Sequence, residues 1–226
     1  MNYKELYFSH IQNIENTIKE ATQSSHGTQK IRIIAVSKKQ SVQACRTVAS
    51  YLQDFGENYL QEALEKQNQL KDLNITWHFI GQIQSNKTQL IANNFDWIHT
   101  IDRSKIIQRL NQHRKSIKPL NCCIQLNLDK EQQKGGALIQ SLPQLAQEIE
   151  NAPHLCLRGL MIIPKKQPDP QENKALFKKM TLIYNQLRQD FPTMDTLSMG
   201  MSQDYGLAVS QGATAVRIGR AIFSER

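Results

Sequence analysis

The stretch Ile31-Arg32-Ile33-Ile34-Ala35-Val36-Ser37-Lys38-Lys39-Gln40-Ser41 decides the fold. Its first seven residues form a short β-branched run between polar flanks, the pattern of a strand buried on both faces in a parallel sheet. An open doubly wound sheet usually places a glycine fingerprint after that strand. Here Ser-Lys-Lys-Gln-Ser follows instead, which favours a closed barrel.

Upstream, residues 2–24 set Leu6, Ile11, Ile14 and Ile18 at helical spacing and predict an amphipathic opening helix, ended by Ser24-Ser25-His26-Gly27. Downstream, short apolar runs alternate with helix-compatible stretches. Strands are predicted at Asp54–Glu57, Thr76–Gly81, Trp97–Ile101, Leu120–Leu128, Leu155–Ile163, Thr196–Gly200 and Ala215–Gly219. Helices are predicted at Val42–Leu52, Tyr59–Lys71, Lys87–Asn93, Arg103–Arg114, Leu142–Glu150, Glu172–Asp190 and Asp204–Gln211. With the first strand this makes eight units, the count of a (β/α)8 TIM barrel at the small end of its range. The Pro-rich stretch Pro164–Pro170 reads as a surface loop, so residues 1–226 read as one α/β domain, with residues 1–24 packing on the barrel.

The 226 residues include 39% hydrophobic and 21% charged side chains, enough to bury a core, and mean hydropathy is −0.52. No apolar run approaches a membrane span, and the opening segment lacks the apolar stretch of a signal peptide, so a cytoplasmic protein is expected. Cys45, Cys122, Cys123 and Cys156 are too few and too irregular for a disulfide framework or a zinc site, and they read as reduced, mostly buried thiols. The excess of 28 Lys and Arg over 20 Asp and Glu gives +8 and a pI near 9.3, which favours an anionic partner without choosing one.

In a parallel barrel the functional face lies at the carboxyl ends of the strands. Those ends are polar here: Ser37-Lys38-Lys39, Gly56-Glu57-Asn58-Tyr59, Gly81 to Lys87, Gly200-Met201-Ser202-Gln203-Asp204 and Arg217-Ile218-Gly219-Arg220. The last two stand where barrels commonly bind phosphate through backbone N–H groups and hydroxyls. Each taken alone is ordinary turn chemistry; their pairing is what favours an anion. Lys38 directly follows the apolar strand, which places its stem along a dry wall, where loss of water lowers a lysine's proton affinity. A neutral amine attacks an aldehyde, so Lys38 is a candidate Schiff-base residue, against the plainer alternative of a loop lysine.

Six blocks carry a family resemblance: Ile34–Lys38, Phe55–Glu62, Trp77–Lys87, Arg158–Met161, Leu197–Ser202 and Val216–Gly219. In this order and spacing the chain resembles the pyridoxal phosphate homeostasis family, over essentially its whole length apart from the opening helix and the Pro-rich loop. The resemblance implies a fold type III barrel, like the amino-terminal domain of alanine racemase, holding pyridoxal 5′-phosphate (PLP) as an aldimine on Lys38. It further implies phosphate contacts from Ser202 and the backbone of Gly219 and Arg220. Ser198, Gly200 and Met201 would shape that loop, Arg217 would face the pyridine nitrogen, and Asn58 would lie near the ring. An arginine beside that nitrogen disfavours its protonation and weakens the cofactor as an electron sink, which suits storage better than aminotransfer. Lys134 matches a family lysine linked to PLP handling away from the aldimine. Lys39 and Arg220 stand where the family often has Thr, and Ser224 where it has Gly; the Arg220 guanidinium either adds charge to the phosphate site or is solvated.

A fold type III racemase needs a second acid or base opposite the lysine. The eight units take up the sequence as far as Arg226 and leave no second domain to supply it, so the expectation is PLP binding without efficient turnover. That is a monomeric carrier in intracellular PLP homeostasis that serves PLP-requiring apoenzymes, with no catalytic residue and no metal site. A PLP-dependent amino-acid racemase is the alternative. Nucleic-acid binding ranks last, because basic residues are dispersed or paired, as at Lys165-Lys166 and Lys178-Lys179. His78 and His99 lie within strands and read as satisfied core histidines, and Trp77 and Trp97 as core.

Overall fold

The computed structural model describes residues 3–24, 30–128, 135–164 and 170–224. Strands β1 (Arg32–Val36), β2 (Asp54–Glu57), β3 (Thr76–Phe79), β4 (Trp97–Ile101), β5 (Leu120–Leu126), β6 (Leu155–Ile162), β7 (Thr196–Ser198) and β8 (Ala215–Ile218) pair in parallel with their chain neighbours. β8 returns to β1, with Arg32 opposite Ala215, so the barrel has no edge. Helices α2 (Val42–Val48), α3 (Leu60–Gln69), α4 (Thr88–Asn94), α5 (Ser104–His113), α6 (Leu142–Glu150), α7 (Pro170–Asp190) and α8 (Tyr205–Ser210) form the crossovers. α1 (Tyr3–Ser24) precedes the barrel and α9 (Arg220–Phe223) follows β8. The expected (β/α)8 barrel with an added amino-terminal helix is thus the observed fold. α2 stops short of the predicted Leu52 where the Ser50 and Tyr51 N–H groups bond back three residues, to the Thr47 and Val48 carbonyls, and tighten the chain out of the α-helical path.

The apolar layer lies between strands and helices, where Phe55, Phe95 and Phe177 are fully buried. α1 adds Tyr7, Ile11, Ile14 and Ile18 to it, with Tyr7 taking the place predicted for Leu6. This helix packs on α2, α8 and α9. His10 Nδ1 contacts the Ile222 carbonyl at 2.9 Å, and the Tyr7 ring meets Phe223 edge-on.

Barrel interiors are usually filled with branched aliphatic layers. Here the base of the barrel carries two cations on an aromatic ring: Arg32 and Arg158 place their guanidinium carbons 4.6 and 5.0 Å from the Trp97 ring centre. Arg32 pairs with Asp54, and Arg158 with Asp195. Above that base a hydrogen-bonded column climbs the interior through Asp54, His78, His99, Ser198 and Arg217, each step 2.8 or 2.9 Å. The donor at each step follows from the Asp54 end, where the carboxylate can only accept and so fixes the proton of a neutral His78 on Nε2. The Ser198 hydroxyl, accepting from Arg217, then gives its own proton to His99 Nδ1. His99 Nε2–H then donates to His78 Nδ1, and His78 Nε2–H donates to Asp54. Both imidazoles are neutral in this arrangement, and burial holds both below the usual histidine range. They are core histidines with satisfied nitrogens.

Cys45, Cys122 and Cys123 are buried and Cys156 is half-buried; all four are free thiols. Burial raises them, Cys45 to about 11 and Cys123 to about 12, so they are protonated and unreactive at neutral pH. Among the described residues no helix is long and apolar enough to cross a membrane, and no cluster of ligating side chains could hold a metal.

Candidate functional site

A cavity of about 940 Å³ opens at the carboxyl ends of the strands. Lys38 after β1, Asn58 after β2, Met201 and Ser202 after β7, Arg217 on β8, and Gly219 and Arg220 beyond it all line this space. Residues distant in sequence meet there because parallel strands all end on one face.

Two candidates are not on the wall. Ser198 lies fully buried beneath Arg217, its hydroxyl and carbonyl each 2.8 Å from Nη1, so it orients the guanidinium and is not itself a lining group. Gly200 adopts φ 94°, and an added Cβ would stand 2.6 Å from the Ala208 Cβ. It therefore shapes the loop from behind. Lys38 differs from expectation in another way: it is exposed on a turn two residues past β1, not stretched along a dry wall. Lys134 and residues 165–169 of the Pro-rich stretch, Lys165-Lys166 included, lie outside the described residues.

Arg217 is 4% exposed, and burial lowers its guanidinium to about 10 against the opposing pull of Asp204. Three of its five N–H donors go to the Ser198 carbonyl, the Ser198 hydroxyl and the Ile162 carbonyl, and among the described residues no carboxylate pairs with it. A cation is therefore fixed at the wall by neutral acceptors. On the neighbouring strand end, past β7, Ser202 Oγ accepts the Ala221 N–H at 3.2 Å, and Asp204 caps the loop by accepting the Met201 N–H at 2.6 Å. Burial raises the Asp204 carboxyl.

The side-chain oxygens of Asn58 and Asn173 are buried without a hydrogen-bond partner, and both residues line the cavity. Such atoms are costly unless something occupies the space and donates to them. Asn173 of α7 and Thr17 of α1 had no sequence signal, because only tertiary packing brings either helix to the mouth. Asp204 and Tyr205 also line it, and Asp204 stands in the polar strand end already noted from sequence.

Comparison with known proteins agrees with this geometry. Residues 9–226 match the family described as alanine racemase, N-terminal domain, so the chain is a barrel of that class. The pyridoxal phosphate homeostasis protein of Haemophilus influenzae is 44% identical over 221 residues, covering 95% of this chain and 92% of that one. That of Pseudomonas aeruginosa is 46% identical over 212 residues, covering 92% of this chain and 91% of the other. This chain belongs to the pyridoxal phosphate homeostasis protein family. The solved structure of PipY from Synechococcus elongatus PCC7942, described with PLP bound, superposes with a TM-score of 0.78 at 35% identity, covering 92% of this chain and 100% of that one.

Proposed function

We propose that this chain binds PLP at the barrel mouth and acts as a carrier in PLP homeostasis, with Lys38 as the amine that condenses with the cofactor's aldehyde. The observation that carries this is the convergence of Lys38, Arg217 and Ser202 on one cavity, with Asn58 oxygen there lacking a donor. The residues fit the group: a phosphorylated pyridine aldehyde offers an anion, a ring nitrogen, a hydroxyl donor and a carbon open to an amine. When bound, PLP supplies a reactive aldehyde. Ser202, Gly219 and Arg220 hold the phosphate, with the loop shaped by Gly200 and Met201. Arg217, braced by Ser198, donates toward the ring nitrogen and so disfavours its protonation.

The chain's place in homeostasis, and not in turnover, is supported by the names of its relatives, which describe homeostasis proteins. Transfer to PLP-requiring apoenzymes, a monomeric state, a single domain over residues 1–226 and a cytoplasmic site complete the reading. Wild-type protein mixed with PLP is expected to develop a visible absorption band that Lys38→Ala abolishes. Retention of the band in Lys38→Ala overturns the assignment. α-Proton exchange of any common amino acid far above the rate with free PLP overturns the carrier reading in favour of a racemase.

A further inference from the structure

The turn that carries Lys38 is held by groups that the cavity wall does not use. The Gln40 N–H donates to the Ser37 carbonyl at 3.0 Å, closing a turn with Lys38 and Lys39 at its centre. Lys39 has φ 63° and is the one non-glycine residue with positive φ among the described residues. A side chain in that region is strained and persists only where its surroundings fix it. The fixing group is Lys66 of α3, which is 4% exposed. Its ammonium donates to the Ser37 carbonyl at 2.5 Å, to Glu57 Oε1 at 2.8 Å and to Glu62 Oε1 at 2.6 Å, spending all three protons. Glu57 Oε1 also accepts the Ser37 hydroxyl at 2.6 Å, and Glu62 Oε1 accepts the Lys39 backbone N–H. The residues on either side of Lys38 therefore hang on one buried cation, while Lys38 makes no hydrogen bond or ion pair among the described residues.

Burying an ion pair is not an efficient route to stability, since apolar replacements of such pairs are often neutral or better. Its geometric effect here is specific to one turn. We propose that Lys66, acting through Glu57 and Glu62, is the positioning residue for Lys38, setting the backbone on both sides so that the amine meets the aldehyde carbon of a phosphate-anchored ligand. The inference rests on Lys38 being the condensing amine. It extends the site to a second lysine that never touches the cofactor.

Pyridoxine 5′-phosphate separates positioning from mere structural support, because it carries an alcohol where PLP has the aldehyde and binds through non-covalent contacts alone. In Lys66→Met and in Glu62→Ala, PLP affinity is expected to fall on the order of tenfold or more, as misplacement of a reacting group commonly does. Pyridoxine 5′-phosphate affinity is expected to stay within about twofold of wild type, since the phosphate loop is untouched. Glu62 is part-exposed, so Glu62→Ala reads the effect even where Lys66→Met fails to fold. Unchanged PLP affinity in Glu62→Ala, or parallel loss of both ligands, overturns the proposal. A wild-type protein that binds both ligands equally and shows no visible band overturns the premise at Lys38, an outcome distinguishable from failure at Lys66.

Discussion

Asn58 sits where the smallest possible insult reaches the site. A Cβ added at Gly81 would lie 2.0 Å from the Asn58 carbonyl oxygen and 2.8 Å from its carbon, and those are backbone atoms that cannot rotate aside. Gly81→Ala is expected to displace Asn58, to cost about 1–3 kcal/mol by overpacking and to weaken PLP binding. Thermal unfolding and a PLP titration check both effects; an unchanged titration would remove Asn58 from the ring contacts. At Arg217 charge alone is not sufficient. Arg217→Lys keeps a cation but loses the planar fork that spans Ser198 and Ile162, leaving a buried acceptor unpaired at about 1–3 kcal/mol. Its melting temperature is expected to fall even with ligand absent, and a wild-type value would show that the fork is dispensable.

The elements themselves were legible because apolar periodicity survives without contacts. β2 and β4 have the predicted limits, and the other strands begin or end a residue or two inside theirs. The four-residue α9 was not legible, being too short for any period to register, and α2 overran because a tight turn at Val48 competes with helix in the same residues. In the site, residues that follow a strand directly were found, since strand ends share one face. Asn173 and Thr17 come from helix sides, where nothing local distinguishes a lining residue from a solvated one. Ser198, expected among the residues that shape the phosphate loop, lies one hydrogen bond behind the cavity wall, against Arg217. The β7–α8 loop gives the test for its element. Gly200→Ala forces a side chain into φ 94° against Ala208, which moves the loop bearing Met201 and Ser202. Affinity for PLP and for pyridoxine 5′-phosphate is expected to fall in parallel, the opposite of the pattern expected at Glu62; selective loss of PLP alone would move the phosphate site elsewhere.

Across the whole molecule the buried column links stability to pH. Burial holds His78 and His99 in the folded chain below the ordinary histidine value of 6.5. As pH falls through that value the unfolded chain takes up protons that the folded one refuses, so their contribution is fully present above it and is lost on acidification. Glu57 and Asp204, raised by burial, act with the opposite sign, and their contribution is lost as pH rises through their folded values. Their loss sets in as pH rises above the ordinary carboxylate values of 4.5 and 3.8, whereas that of the histidines sets in as pH falls below 6.5. The melting midpoint is expected to drop between about pH 7.5 and about pH 5.5, and a flat profile would show that the imidazoles are not the neutral pair described.

The cavity takes its lining from Thr17 of α1 and Asn173 of α7 as well as from the strand ends. A small molecule seated there rests against the outer helices too, so loosening α1 or α7 from the barrel loosens its grip without altering a single strand.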